Sequence, residues 1–482
     1  MPSAFPEHAL RELGRTEGSP DTLALLVRDQ HTRRLLLLRA LLDAVEAADE
    51  RICPSALRAR LRADWALLEA ADEVAAASVV GGLRRSPARD RLLYPLVGPW
   101  VHGSLGVLTS ATRAWSEGSW TEAGNRARAL ARHFAYFSAL AAVATARAGM
   151  SFSTRLTARD GVLTLPSLGA LRTAAPGAAS VEAVFGERRV TLRQAAAVDV
   201  VVRWGDGVGG MSDAGAWRSA YALPGLVPGA AAVPLDDLDP CRVMSDGRRC
   251  QEVSEVVELN ERDQERWRRS WSGAASLLWF GGGHRVAEVV SLVRCLVPLR
   301  TPRENPDGTS SGTLREAFGA VLSSAPVTPV TLAATLVHEV QHAKLAALSE
   351  MTALHRAGPE ERYFAPWRPD PRPFDGVLQG VYSHTALADF FQRWALVSQA
   401  PEQRESAWYQ HARYREQVRA SLPTIMQSTD LTSVGRLLVD QLTATCDRMD
   451  ETPPPPYERR CAEASVRAAR ELWRERHAYA ID

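Results

Sequence analysis

The sequence predicts an α+β protein that is mainly α-helical, with its β structure confined to the middle of the chain. Long segments at both ends place leucine and other apolar residues three and four positions apart, as amphipathic helices do. A central stretch consists instead of short β-type runs separated by Asp-Gly, Gly-Glu and Pro-Gly turns. We therefore expect a helical N-terminal domain over 1–150, a β-rich segment over 151–254 and a helical C-terminal domain over 255–482.

The individual elements follow from the same patterns in chain order. Three strong helices are expected in the N-terminal domain, at 21–50, 56–83 and 124–149. The second of these should stop at Gly81 and Gly82, because glycine is a poor helix former. The main β-type runs are at 151–171, 181–192 and 198–207. The glycine-rich stretch 205–210 is interpreted as a loop, since no helix follows it, and it predicts no nucleotide site.

The C-terminal domain alternates helices with two long loops. Helices are expected at 253–280, 328–351 and 377–396, and a last basic helix should follow the four prolines at 453–456. Pro329 lies near the start of its helix, where proline is tolerated because the first-turn N–H groups have no helical partner. The connecting segments are a polar loop at 301–318 and a proline-rich loop at 365–376.

Composition and charge narrow the functional classes. The net charge is +1 and charged residues make up 23% of the chain, so neither nucleic acid nor a membrane is expected as a partner. The six cysteines form no CxxC pair, which argues against an iron–sulfur cluster and a cysteine zinc site. The N-terminus lacks a signal sequence, and the most apolar helical run, 134–146, is too short to cross a bilayer, so a cytoplasmic enzyme is expected.

The segment HEVQH, which begins at His338, carries the clearest chemical signal. Residues four apart on a helix are separated by only about 40° around its axis, so His338 and His342 can bind one metal ion. Glu339 is rotated by about 100° from His338 and can approach a metal-bound water without binding the metal. The pattern predicts a metal centre with Glu339 as its candidate catalytic residue.

A working centre of this kind needs a third ligand. The peptidase pattern HExxHxxGxxH fails, because Leu345 and Leu348 replace its glycine and its third histidine. A peptidase glutamate about twenty residues downstream fits poorly, because Glu360 and Glu361 fall in a predicted loop. His384, on the next apolar helix, is the preferred third ligand. The alternatives left open are a buried His384 with an ordinary hydrogen bond, His355, and the carboxylates of Asp370, Asp375 and Asp389.

The proline-rich loop places Arg368 and Arg372 between the HEVQH helix and His384. A guanidinium holds a carboxylate through two parallel hydrogen bonds, which suits the far carboxylate of a 2-oxo acid bound to a metal. The same grip suits the carboxylate of a peptide. In the alternative interpretation the loop is a rigid surface segment whose arginines pair with Asp370 and Asp375.

Several segments around HEVQH carry a family resemblance. They are SSGTLREAFGAV, LAATLVHEVQHAKL, FAPWRPDPRPFDGVLQGVY and SHTALADFFQR, and LPSLGAL, LDDLDPCR and YPLVGPW lie upstream. Together they resemble the HExxH-motif peptide-modification proteins of bacteria. The resemblance implies an iron(II)- and 2-oxoglutarate-dependent oxygenase that hydroxylates a β-carbon in a ribosomally synthesised precursor peptide. It implies iron ligation by His338 and His342, with His384 as the third ligand.

Some members of that family are fused to a radical-SAM enzyme, which implies association with such an enzyme as a partner. This chain lacks the cluster-binding cysteines and resembles the free-standing form. Two alternatives to the oxygenase remain. One is a zinc peptidase with Glu339 as general base, and the other is a non-catalytic peptide-binding protein with a structural metal.

Overall fold

Helices at both ends of the chain and sheets in its middle confirm the predicted α+β, mainly helical class. The structure is a computed structural model that describes residues 5–77, 86–109, 120–195, 197–243, 256–301 and 310–477. The predicted stop at Gly81 and Gly82 lies outside these residues. Among the described helices, none has an apolar stretch of the length that a membrane crossing requires.

The three strong N-terminal helices are confirmed as α2, α3 and α6. The Ser19 hydroxyl accepts a hydrogen bond from the Thr22 N–H and Pro20 opens α2, which is a common way to begin a helix. The helices of this part are α1 (Glu7–Gly14), α2 (Pro20–Ala47), α3 (Ser55–Ala77), α4 (Pro87–Leu92), α5 (Val97–Thr109) and α6 (Trp120–Arg147).

The β-rich segment forms two antiparallel sheets over a shared core. One sheet has the order β1-β4-β5-β6-β7 and the other the order β2-β3-β8. Buried and exposed residues alternate along β4, as a strand with one face on a core requires. The strands are β1 (Phe152–Ala158), β2 (Val162–Leu165), β3 (Gly169–Arg172), β4 (Ala179–Gly186), β5 (Arg189–Arg193), β6 (Val200–Trp204), β7 (Gly210–Met211) and β8 (Trp217–Ser219).

A third sheet joins the β-rich segment to the C-terminal region, where only helices were expected. Its order is β12-β13-β11-β10-β9, with β10, β11 and β13 parallel. Every residue of β11 and β13 is buried, so these strands lack the alternation by which β structure was recognised. The strands are β9 (Tyr221–Leu223), β10 (Val233–Leu235), β11 (Cys295–Leu299), β12 (Ser311–Gly312) and β13 (Ala320–Ser324).

Seven α-helices follow β10 among the described residues. The first was expected from residue 253 but begins at Glu261, because Asn260 and Asp263 form a reciprocal capping box. The helices are α7 (Glu261–Phe280), α8 (Gly283–Leu292), α9 (Pro329–Met351), α10 (Phe374–Val397), α11 (Pro401–Met426), α12 (Ser433–Asp450) and α13 (Pro456–His477). Helix α9 packs against α7, α8, α10 and the β12–β13 edge of the third sheet.

The start of the chain packs on the C-terminal helices rather than on the rest of its predicted domain. Leu10 and Leu13 share a core with α12, and Leu23 shares one with α7 and α9. These contacts cross the predicted boundary at residue 150, and the division into three domains stays a prediction.

Four buried charged side chains, which we term the buried ion cluster, lie behind α9 and α10. They are Arg285, Glu288, Lys344 and Asp389. Glu288 accepts hydrogen bonds from Lys344 Nζ at 2.5 Å and Arg285 Nη1 at 3.1 Å, and Arg285 Nη2 lies 3.4 Å from Asp389 Oδ2. Both cations also donate to the Thr16 carbonyl, so the cluster fixes the α1–α2 turn to the helices that carry the histidines.

Candidate metal centre

The HEVQH segment lies in the middle of α9, as predicted. Thr328 caps the helix and Pro329 opens it, and most of the side chains between Leu332 and Leu348 are buried. The half-buried rings of His338 and His342 project from one face, with their Nε2 atoms 3.0 Å apart and their planes inclined at 82°. A rigid helix therefore holds two imidazole nitrogens toward one point.

The spacing of these two nitrogens fits a shared metal ion. Two metal–nitrogen bonds of about 2.1 Å that meet at about 90° separate their nitrogens by about 3.0 Å. Burial, and then the neighbouring His342, lowers the pKa of His338 to about 4. His338 is therefore neutral at neutral pH, which leaves one ring nitrogen free to bind a metal.

His342 is oriented from the neighbouring helix. Its Nδ1 lies 3.1 Å from Oε1 of Gln379 on α10. If Nδ1–H donates to that carbonyl oxygen, the Nε2 that faces His338 carries the lone pair.

His384 lies beside the pair, buried on α10. Its ring centroid is 5.6 Å from that of His338, and its Nδ1 has no hydrogen-bond partner among the described residues. Burial, and then His338 and His342, lowers its pKa well below the ordinary value, so the ring is neutral. A buried neutral imidazole with an unpaired nitrogen has the chemistry of a metal ligand.

The three rings do not yet form a complete ligand set. Among the described residues, no group of three or more histidine, cysteine, aspartate or glutamate side chains is arranged to hold a metal ion. The pair His338–His342 fits two neighbouring positions of a metal, and His384 as the third ligand stays a prediction.

Aromatic rings fix the position of His384. The indole of Trp367 meets the His384 ring edge-on, with 4.6 Å between the ring centroids. The ring of Tyr414 also meets it edge-on, with 5.2 Å between centroids. Trp367 reaches α10 only because residue 380 is glycine: a Cβ there would lie 2.1 Å from the indole Cζ2. The proline-rich loop therefore contributes an aromatic wedge to the histidine site.

Glu339 points to the edge of the third sheet. Its buried carboxylate accepts hydrogen bonds from the hydroxyls of Ser311 at 2.7 Å and Thr313 at 2.6 Å. Residues 311 and 313 are two apart, so both side chains leave the same face of the chain at β12. These contacts tie the HEVQH helix to the sheet and engage both carboxylate oxygens.

The two loop arginines pair locally with one carboxylate. Arg368 Nε lies 3.2 Å from Asp370 Oδ1, and Arg372 Nη1 lies 3.2 Å from Asp370 Oδ2. The pairing with Asp370 is the one expected if the loop is a rigid surface segment. Asp375, the other partner in that interpretation, pairs instead with Arg315 at 2.7 Å. The binding of an oxo acid by Arg368 or Arg372 stays a prediction that requires Asp370 to release them.

The other candidate ligands are engaged elsewhere. Asp375 also lies 3.5 Å from His355, and Asp389 belongs to the buried ion cluster. Glu360 and Glu361 are exposed on a loop, as expected.

Sequence reasoning missed Gln379, Trp367 and the hydroxyls of Ser311 and Thr313. A partial signal existed, since all four residues stand in segments quoted for the family resemblance. Comparison of the chain with protein-family models and with curated proteins finds no match of either kind.

Proposed function

We propose that this protein is an iron(II)- and 2-oxoglutarate-dependent oxygenase that hydroxylates a β-carbon of a residue in a precursor peptide. The observation that carries the proposal is the 3.0 Å approach of the His338 and His342 Nε2 atoms, with the unpaired His384 beside them. Imidazole ligands suit iron(II), as they also suit zinc.

The surroundings of Glu339 favour oxidation over peptide hydrolysis. A peptidase general base must direct its carboxylate toward a metal-bound water, whereas the carboxylate of Glu339 is directed toward β12. Here both oxygens accept hydrogen bonds from hydroxyls of the sheet edge. This supports a positioning role, in which Glu339 holds α9 against β12.

In this proposal His338, His342 and His384 would hold the metal. Iron(II), when bound, supplies the chemistry by which O2 and 2-oxoglutarate become a hydroxyl group on the peptide, succinate and CO2. Trp367 keeps water from one side of His384. Arg368 and Arg372 are the proposed partners of the distal carboxylate of the oxo acid, in exchange for Asp370.

The test uses the purified full-length protein with iron(II), ascorbate, 2-oxoglutarate and the precursor peptide encoded beside its gene. We expect succinate formation and a mass increase of 16 on the peptide, both lost in His342→Ala. Glu339→Gln keeps an acceptor for one hydroxyl and offers a donor to the other, so it should retain much of the activity. A shortened peptide that depends on zinc and on Glu339 would identify a peptidase instead.

A non-catalytic protein with a structural metal predicts a third result. His342→Ala would then fail to fold, and the wild-type protein would convert neither substrate. Circular dichroism of the variant, recorded before any activity assay, separates this outcome from the loss of a catalytic ligand.

A further inference from the structure

The amide of Gln379 contacts the distal ring nitrogen of a candidate ligand, the nitrogen that faces away from the other histidine of the pair. Its Oε1 lies 3.1 Å from His342 Nδ1. We infer that Gln379 is a positioning residue, which holds His342 in the tautomer whose Nε2 lone pair faces His338. The inference about the tautomer concerns the protein alone, and its consequence for metal affinity rests on the proposed function.

The chemistry of imidazole makes this contact decisive. A neutral ring carries a single N–H, so a proton on Nδ1 leaves Nε2 free, and a proton on Nε2 blocks that atom as a ligand. The carbonyl oxygen of Gln379 accepts only from an Nδ1–H. With its carbonyl oxygen toward the ring, Gln379 therefore favours the tautomer that can bind a metal at the point where the two Nε2 atoms converge.

The other two histidines lack such an anchor. His384 Nδ1 is buried without a hydrogen-bond partner, and the described side-chain hydrogen bond of His338 is the one that joins it to His342. Gln379 thus supplies the pair with a polar partner at a distal ring nitrogen, and such partners orient metal ligands and raise their basicity.

The position of Gln379 in the fold suits this role. It lies on α10, which carries His384 five residues later and packs closely along α9. The contact between Gln379 and His342 therefore joins the two helices at the site itself. A change in the packing of α10 would alter the orientation of His342 as well as the position of His384.

The experiment compares Gln379→Leu, which removes the acceptor at similar volume, with Gln379→Glu, which keeps an acceptor. Two quantities are measured on the metal-free full-length protein: the Co²⁺ affinity by titration, and the His342 tautomer by ¹⁵N–¹H correlation. We expect Gln379→Leu to weaken Co²⁺ binding about 10–100-fold and to reduce the population with Nδ1–H. Gln379→Glu should retain both properties.

Gln392→Leu is the matched control, since Gln392 lies on the same helix and its Nε2 donates to the carbonyls of Met449 and Thr452. It should lower stability and leave Co²⁺ affinity and the His342 tautomer unchanged. Retention of both the wild-type affinity and the Nδ1–H tautomer in Gln379→Leu would overturn the inference.

The two proposals fail in distinguishable ways. A wild-type protein that binds no Co²⁺ contradicts the proposed metal centre, and the tautomer measurement still decides the role of Gln379. If the wild type binds Co²⁺ with His342 protonated at Nε2, the role of Gln379 is overturned and the metal centre stands.

Discussion

Helix α9 has two buried polar faces that differ in one respect. Behind it, each member of the buried ion cluster contacts a side chain of opposite charge. On the other face, His338 and His342 turn their Nε2 atoms toward each other, and His384 keeps an unpaired Nδ1 nearby. The pairing of opposite charges on the first face indicates a structural role, whereas a buried neutral imidazole with an unpaired nitrogen on the second indicates a binding site.

The largest expected effect tests the structural face. Glu288→Gln leaves Lys344 buried without its carboxylate partner and leaves Arg285 with Asp389. We expect the free energy of unfolding to fall by about 3–5 kcal/mol, as when one partner of a buried ion pair is removed. Urea denaturation measures the loss.

Glu46→Gln is the matched control, because Glu46 pairs with Arg62 at the surface. This variant should have the same urea midpoint as the wild type. Equal midpoints for the two variants would show that the ion cluster does not stabilise the fold.

The next effect tests the other face. His342→Ala removes a half-buried ring and should leave the unfolding midpoint near that of the wild type. Its Co²⁺ affinity should fall by more than about 100-fold, because the loss of a ligand exceeds the loss of its supporting hydrogen bond. Titration of the metal-free protein measures this. If His342→Ala unfolds instead, His342 is needed for the stability of the fold.

The aromatic wedge at His384 gives a smaller effect. Gly380→Ala places a Cβ 2.1 Å from the Trp367 indole, so the wedge must move away from His384. We expect the free energy of unfolding to fall by about 1–3 kcal/mol, as at other overpacked sites, and the tryptophan fluorescence to change. In Gly376→Ala on the same helix the new Cβ approaches Arg372 Nε only to 3.3 Å, so little change is expected. Similar losses of stability in Gly380→Ala and Gly376→Ala would contradict the role of Gly380 in letting Trp367 reach His384.

The smallest effect comes from Asp239, a buried carboxyl group whose pKa is raised. In the buried ion cluster, by contrast, burial alone would raise the pKa of Asp389, but the cations Arg285 and Arg393 lower it. Burial, and then Asp236, raises the pKa of Asp239 to about 7. The folded state thus holds this proton more tightly, so stability falls as pH rises from about 4 toward 7 and levels off above that.

For Asp239 the loss between pH 6 and pH 7 should be at most about 1.4 kcal/mol, and it should vanish in Asp239→Asn. Urea midpoints of the two proteins at both pH values measure it. An identical pH dependence in the variant would assign the titration to another group.

The sequence predicted those parts of the site that local geometry determines. The four-residue spacing of His338 and His342 is sufficient to bring them to one helix face, and Pro329 marked the start of α9. The contacts of Gln379 and of Ser311 span 37 and 28 residues and depend on how α9 packs on α10 and on β12. No periodic pattern encodes such contacts. The buried strands β11 and β13 were missed for a related reason, since a fully buried strand has no polar face.

Lys344, the single lysine of the sequence, lies fully buried in the ion cluster. The folded protein consequently offers no side-chain amine to solvent. Acylating reagents and amine-directed crosslinkers can modify a lysine only in molecules whose ion cluster has opened. The rate of Lys344 acylation would therefore report how often the scaffold behind the histidines opens, at one site and without an introduced probe.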